Sequence, residues 1–220
     1  MKSLGIDIGT TTISAVVLEN GQVLTDITEK NETFLEPGFV GEKIQDANQI
    51  LEIALSIVEK MMEEYPDITR IGVTGQMHGI LYLDENGDAI SPLYTWQDTR
   101  GDFAYKKEWT NETWAEYLKR KTGHFVASGY GLVTYAYNMG ENSSNEMQDI
   151  ISRAVTCCTI GDYIAMKLCG LKMPVMDKSN AASIGFFDVE KGRFDSEALE
   201  KIGIATEFLP RVAEIGRAHV

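Results

Sequence analysis

Three apolar runs follow one another at the start of the chain, at residues 4–8, 13–18 and 22–28, and they constrain the fold more than any other feature. The first breaks at Gly9 into Thr10, Thr11 and Thr12. The second and third are joined through Glu19-Asn20-Gly21, a hairpin signal. Three hairpin-linked strands make an antiparallel start to a sheet. A long amphipathic pattern over residues 44–64 predicts a helix, with Ile50, Leu51, Ala54, Leu55, Ile57, Val58 and Met61 on its buried face and Pro66 as its stop. Residues 71–74 read as a buried strand running into Gly75-Gln-Met-His-Gly79. A hairpin around Asn86-Gly87 leads to another strand at 93–96. The second half reads as mainly helical, with helices over 111–122, 145–154, 159–169 and 196–203, Gly170 as a C-cap and Ser196 as an N-cap. Strands, then helix and strand alternating, then helices, indicate an α/β fold with a mixed sheet flanked by helices.

At 220 residues the chain can form one large domain or two small ones. Its net charge of -13 argues against a nucleic-acid or anionic-membrane surface. No run approaches the ~20 apolar residues that span a bilayer, and no basic and apolar leader opens the chain. Cys157, Cys158 and Cys169 have no metal spacing and suggest no disulfide framework. They read as small buried apolar residues in a reducing cytoplasm.

Three polar clusters carry the chemistry. Asp7-Ile8-Gly9-Thr10-Thr11-Thr12 offers backbone N–H groups and hydroxyls to phosphate oxygens, and Asp7 can hold Mg2+ directly or through water. An ordinary hairpin with a polar turn would use the same residues. Gly75–Gly79 lies where a strand ends, the usual place for ligands in open α/β sheets. Its Gln76 and His78 both donate and accept hydrogen bonds, which suits a polyhydroxylated ligand, although a strand-capping turn would also account for them. Trp96-Gln97-Asp98-Thr99-Arg100 sets an aromatic face beside carboxylate and guanidinium groups. The alternative is a core Trp96 and a surface Asp98–Arg100 pair of little worth. Asn180-Ala-Ala-Ser183 reads as a close-packing stretch, Asp162 as a helix N-terminal charge and Tyr163 as a half-buried aromatic. Gly129-Tyr130-Gly131 is open to either a pocket or a packing reading.

In this order the segments resemble the FGGY carbohydrate kinases. GIDIGTTT is similar to their first phosphate motif, GQMHG to the ketose-kinase substrate loop and WQDTR to the sugar-contact strand that follows. ASGYG, TIGDYIAMKLCG and NAASIGFFD are more like sedoheptulokinases than xylulokinases. The resemblance implies a ribonuclease H-like, actin-like ATPase fold, with residues 1–214 as the N-terminal, sugar-binding domain. It implies ATP and Mg2+ as cofactors, a ketose phosphorylated at a primary hydroxyl, and a possible homodimer at full length. Asp7 would sit at the transferring phosphate and its Mg2+, and Gly9, Thr10, Thr11 and Thr12 at the terminal phosphates of ATP. Gln76 would shape the substrate loop, Met77 and His78 would contact the ketose, and Trp96, Asp98 and Arg100 would line the sugar side of the cleft. Ser14 stands where the family's glycerol kinases carry an arginine, which speaks against glycerol.

The family's catalytic base is an aspartate in a Gly-Asp motif beyond the part that aligns with residues 209–214. The expectation is therefore of a domain truncated before its base, without the nucleotide-binding second domain and unable to turn over. Residues 215–220 read as an artefact tail. A xylulokinase or other pentulose kinase is the nearest alternative. A non-catalytic nucleotide-binding module of the actin or Hsp70 type is the alternative of another class.

Overall fold

The computed structural model describes residues 1–106, 111–141 and 143–214; the tail at 215–220 lies outside them. The chain opens with β1 (Lys2–Ile8), β2 (Thr12–Glu19) and β3 (Gln22–Lys30), and after β4 (Ile44–Gln45) and α1 (Ala47–Glu64) it reaches β5 (Ile68–Gly75). The sheet order is β3-β2-β1-β5. The first three strands are antiparallel neighbours, while β5 runs parallel to β1. That is the mixed sheet expected from three hairpin-linked strands and a helical crossover.

The period-2 pattern decides which face is covered. Leu4, Ile6, Ile8, Ile13, Ala15 and Val17 are buried, and α1 packs on them through Ile50, Ala54, Ile57, Val58 and Met61. On the other face, Gly5, Asp7, Ser14, Val16, Gly72 and Thr74 line an open hollow of about 530 Å³. At the β2–β3 turn Asn20 (φ 51°) and Gly21 (φ 81°) take the two positive φ values that a tight hairpin of this hand requires.

Further along come β6 (Leu81–Leu83), β7 (Leu93–Tyr94), α2 (Trp114–Thr122), α3 (Gly131–Asn138), α4 (Asn145–Arg153), β8 (Thr156–Cys158) and α5 (Ile160–Leu168). The chain continues through β9 (Val175–Asp177), α6 (Lys178–Ile184), β10 (Phe187–Asp188), β11 (Arg193–Phe194), α7 (Ser196–Lys201) and β12 (Arg211–Ala213). Short pairs β4–β7, β6–β8, β9–β12 and β10–β11 stitch this half together. Helix α5 lies beside α1 against β1 and β5. No helix among the described residues is long and apolar enough to cross a membrane.

Several expectations change. Helix α1 starts at Ala47, because the Asp46 carboxylate accepts from the backbone N–H groups of Asn48 and Gln49 and caps it there. Ile44 and Gln45 are free to pair with Tyr94 and Leu93. Strand β5 is longer than expected and largely exposed, being an edge strand rather than a buried one. The N-cap of α7 is Asp195, which accepts from Ala198 N, so Ser196 is already helical. Gly170 (φ 64°) follows the last turn of α5 in the left-handed form, as a glycine at a helix end should. Cys157 and Cys158 are buried but Cys169 is exposed. Tyr163 is fully buried.

Candidate functional site

The β1–β2 connection is a tight bend. Gly9 N donates to Thr12 O over 2.9 Å, and a Cβ on Gly9 would stand 2.8 Å from that same oxygen, so the bend requires glycine. Asn31 braces it from the end of β3: its Nδ2 donates to Gly9 O (2.7 Å) and its backbone N to Thr11 O (2.9 Å). The Thr33 hydroxyl holds the Asn31 amide oxygen at 2.7 Å. The Thr11 and Thr12 side chains face solvent, while Thr10 turns inward and is half-buried.

Parallel pairing sets Asp7 opposite Thr74 and Ile8 opposite Gly75, so the end of β5 arrives beside the bend. Gln76 N then donates to Ile8 O (2.9 Å). From there one polar network ties all three sequence clusters together. The Thr10 hydroxyl accepts from Trp96 Nε1 (3.2 Å) and donates to Gln76 Oε1 (3.4 Å). Gln76 Nε2 donates to Gln45 Oε1 (2.9 Å), and Gln45 Nε2 returns to Thr10 O (3.0 Å). Gln45 is fully buried, and with Asn31 it is a site-building residue that sequence reasoning missed. Asn31 follows the last residue of β3, and the pairing of Thr12 with Lys30 is what puts it against the bend.

Asp7 lies on the open face of the sheet in a polar row with Thr74, Ser14 and Thr28, where Ser14 and Thr28 hydroxyls are 3.0 Å apart. Its carboxylate is exposed and makes no hydrogen bond or ion pair with a described residue. Among the described residues no group of three or more His, Cys, Asp or Glu is arranged to hold a metal by itself. One open carboxylate beside the bend is nevertheless a donor of the kind Mg2+ takes, since that ion binds through one or two carboxylates together with phosphate and water.

His78 adopts φ 69°, the left-handed region. Its Nδ1 lies 2.7 Å from Ser183 O, its backbone N donates to Ser183 Oγ (3.3 Å), and its ring stacks on Tyr130 with centroids 4.7 Å apart. Met77 next to it in the chain and Trp96, bonded to Thr10, are each about half exposed, at 47% and 48%. Neighbouring backbone comes very close here. A Cβ on Gly79 would meet Tyr94 O at 2.5 Å, and one on Gly129 (φ 84°) would collide with Trp96 O. The packing reading of Asn180–Ser183 therefore holds in part, since α6 buries Ala181 and Ser183 but also grips the His78 loop.

Asp98 and Arg100 differ from the surface-pair expectation. They are 1% and 2% exposed, so they form no surface pair. Arg100 Nε and Nη2 donate to the two carboxylate oxygens of Asp98 (2.6 and 3.0 Å), Nη2 also to Glu42 (3.0 Å) and Nη1 to Asn138 Oδ1 (2.7 Å). The guanidinium lies 4.3 Å from the centre of the Tyr94 ring. Burial alone would depress the Arg100 pKa, but the Asp98 hydrogen bond and charge carry it above its ordinary value. These bonds hold the pair inside the protein, where it anchors the turn that presents Trp96.

A further groove of about 600 Å³ runs along the free edge of β5 above α5. Asp162 borders it, accepting from Thr159 Oγ1 (2.7 Å), Thr159 N (3.2 Å) and Asn180 Nδ2 (3.1 Å). Burial pushes its pKa up to about 6 against these bonds.

Residues 3–218 match the model of the N-terminal domain of the FGGY family of carbohydrate kinases. The chain is 30% identical to sedoheptulokinase from Mus musculus over 97% of its own length and 48% of that protein's. It is 28% identical to gluconokinase from Bacillus subtilis, over 95% of its length and 39% of the relative's. The chain thus spans about half or less of these relatives. Among solved structures, ligand-bound xylulose kinase from Lactobacillus acidophilus superposes with a TM-score of 0.79 at 23% identity, over 96% of this chain and 42% of that one. At that identity the likeness establishes the fold, and the mixed α/β architecture agrees with it.

Proposed function

Because the chain belongs to the FGGY family of carbohydrate kinases, as an N-terminal domain, we propose that it supplies the carbohydrate site and part of the phosphate-binding apparatus of an ATP-dependent ketose kinase. In that reaction a primary hydroxyl of the sugar forms a new O–P bond to the γ-phosphorus, the bond from that phosphorus to the bridging oxygen breaks to release ADP, and the hydroxyl proton passes to a general base. The observation that carries the reading is the Thr10 hydroxyl, which bonds to Trp96 of one loop and Gln76 of the other while sitting in the Gly9 bend. A bend suited to phosphate and two loops suited to a sugar are thereby locked to each other.

In this reading the Gly9–Thr12 bend takes the terminal phosphates through backbone N–H groups and the Thr11 and Thr12 hydroxyls. Asp7 holds Mg2+, which supplies charge neutralisation for the phosphates. Met77, His78 and the exposed face of Trp96 contact the sugar, with Gln76 and Gln45 fixing the loop. Asp98 and Arg100 act only through Trp96. The likeness to sedoheptulokinase favours a heptulose-like ketose. The general base and the adenine site belong to the remainder of a protein of the relatives' length. An ATP-using enzyme with buried thiols at Cys157 and Cys158 suits a reducing cytoplasm.

The test is ADP release by a protein of the relatives' length carrying this domain, assayed on a ketose panel. The Asp7→Ala variant should lose on the order of 10²-fold or more in kcat, with the sugar KM within about threefold because the sugar lies elsewhere. An unchanged kcat removes Asp7 from the mechanism, and no turnover on any ketose removes the substrate class.

A further inference from the structure

We propose that Ser183 and Tyr130 are positioning residues that fix His78 in one tautomer, protonated at Nδ1, so that its Nε2 accepts a hydrogen bond from a hydroxyl of the carbohydrate. The proposal rests on the reading of this crevice as a carbohydrate site and specifies how that site reads its ligand.

The group 2.7 Å from Nδ1 is the Ser183 backbone carbonyl, and a carbonyl oxygen can only accept. Nδ1 therefore carries the proton, and in the neutral ring Nε2 is left as an acceptor. Nε2 makes no hydrogen bond with any described residue, yet no buried side-chain nitrogen or oxygen among them lacks a partner. Nε2 is accordingly open to solvent, on a half-buried residue whose Nδ1 and backbone N are both engaged by Ser183.

The surroundings leave the ring little freedom. Tyr130 stacks on it at an interplanar angle of 16°. The Ser183 hydroxyl accepts from His78 N and donates to Asn180 O (2.8 Å), and the Asn180 amide is bonded to Thr159 Oγ1 (3.3 Å) and Asp162. Helix α6 is thus pinned to the start of α5 and carries Ser183 as a fixed abutment. A non-glycine residue at φ 69° persists where its surroundings over-determine it, and here both faces of the loop are gripped. The result is an oriented acceptor that selects a hydroxyl donor.

The experiment is long-range 15N–1H NMR of the histidine rings in the 220-residue chain, at a pH where the His78 ring is neutral, followed by ketose titration. The expected spectrum shows His78 wholly in the Nδ1–H form, with Nε2 moving on ketose binding. Tyr130→Leu should bring the Nε2–H form into view while the backbone amide spectrum stays native, which a purely structural role for Tyr130 would not do. His78→Asn keeps an amide NH2 to donate to Ser183 O and suits a positive φ, but its shorter side chain places no acceptor where Nε2 stood. It should weaken ketose binding about tenfold or more, the loss of one buried hydrogen bond with its partner left unpaired. A ketose whose contacting hydroxyl is replaced by fluorine, which accepts but cannot donate, should lose affinity as much as the deoxy sugar. An Nε2–H ring with ketose binding intact, or a fluoro sugar that binds like the parent, overturns the proposal and leaves the carbohydrate reading standing. No ketose response at His78 in the unmodified chain overturns that reading and the proposal with it.

Discussion

Arg100 separates what a motif names from what a residue does. In sequence, a tryptophan, a carboxylate and a guanidinium within five positions read as a ligand-binding strip, but only Trp96 remains open in the fold. Removing the Arg100 side chain would leave the Asp98 carboxylate buried without its ion partner, a change that costs about 3–5 kcal/mol. Arg100→Ala should therefore lower stability in urea by that amount. A loss below about 1 kcal/mol would contradict the anchoring role. Asp162 gives a pH signature. Its folded pKa of about 6 lies above the unfolded value near 3.8, so the folded state binds the extra proton between these values and stability falls as pH rises from about 4 to 6. A shift of roughly two units corresponds to at most about 3 kcal/mol. The wild-type minus Asp162→Asn difference in unfolding free energy should decline through that window and level off above it. A difference that is flat with pH would show that Asp162 ionises normally in the fold. The residues that sequence reading missed at this scale, Gln45 and Asn31, are single polar side chains outside any motif. Their importance comes from long-range pairing that only the register reveals.

Elements were legible where hydrophobic period and turn chemistry agree. The three opening strands are apolar runs joined by turn signals and α1 shows a clear period of 3.6, and all four formed. Helix α3 escaped because it is buried almost all round, with Leu132, Val133, Thr134, Tyr135, Ala136 and Asn138 inside, which leaves no polar face to set the phase. Helix α6 has seven residues, too few for a period to register. Strand β5 was assigned correctly in kind and wrongly in burial, because an apolar run does not say how many neighbours a strand has. The close approach of the Gly129 loop to the Trp96 turn is an element-scale contact that can be tested directly. Gly129→Ala combines a disfavoured backbone conformation with a Cβ driven into Trp96 O. It should cost about 1–3 kcal/mol and shift the Trp96 emission; unchanged stability and emission would mean the two loops move independently.

At the scale of the whole molecule, the sheet brings the Gly9 bend and the His78 loop to the ends of neighbouring parallel strands, and the Thr10–Gln76–Gln45 network joins them. This juxtaposition was legible as two motifs that each end a strand, and the family resemblance supplied their roles. What the sequence could not supply was the wiring between them. One measurement tests that wiring most directly: amide and indole NMR of the 15N-labelled chain titrated separately with a ketose and with a Mg2+-nucleotide. The ketose should move the resonances of residues 76–79 and the Trp96 indole N–H, the nucleotide should move those of residues 9–12, and the Trp96 indole should respond to both through Thr10. Responses on unrelated faces of the molecule, or a Trp96 indole indifferent to both ligands, would contradict the account.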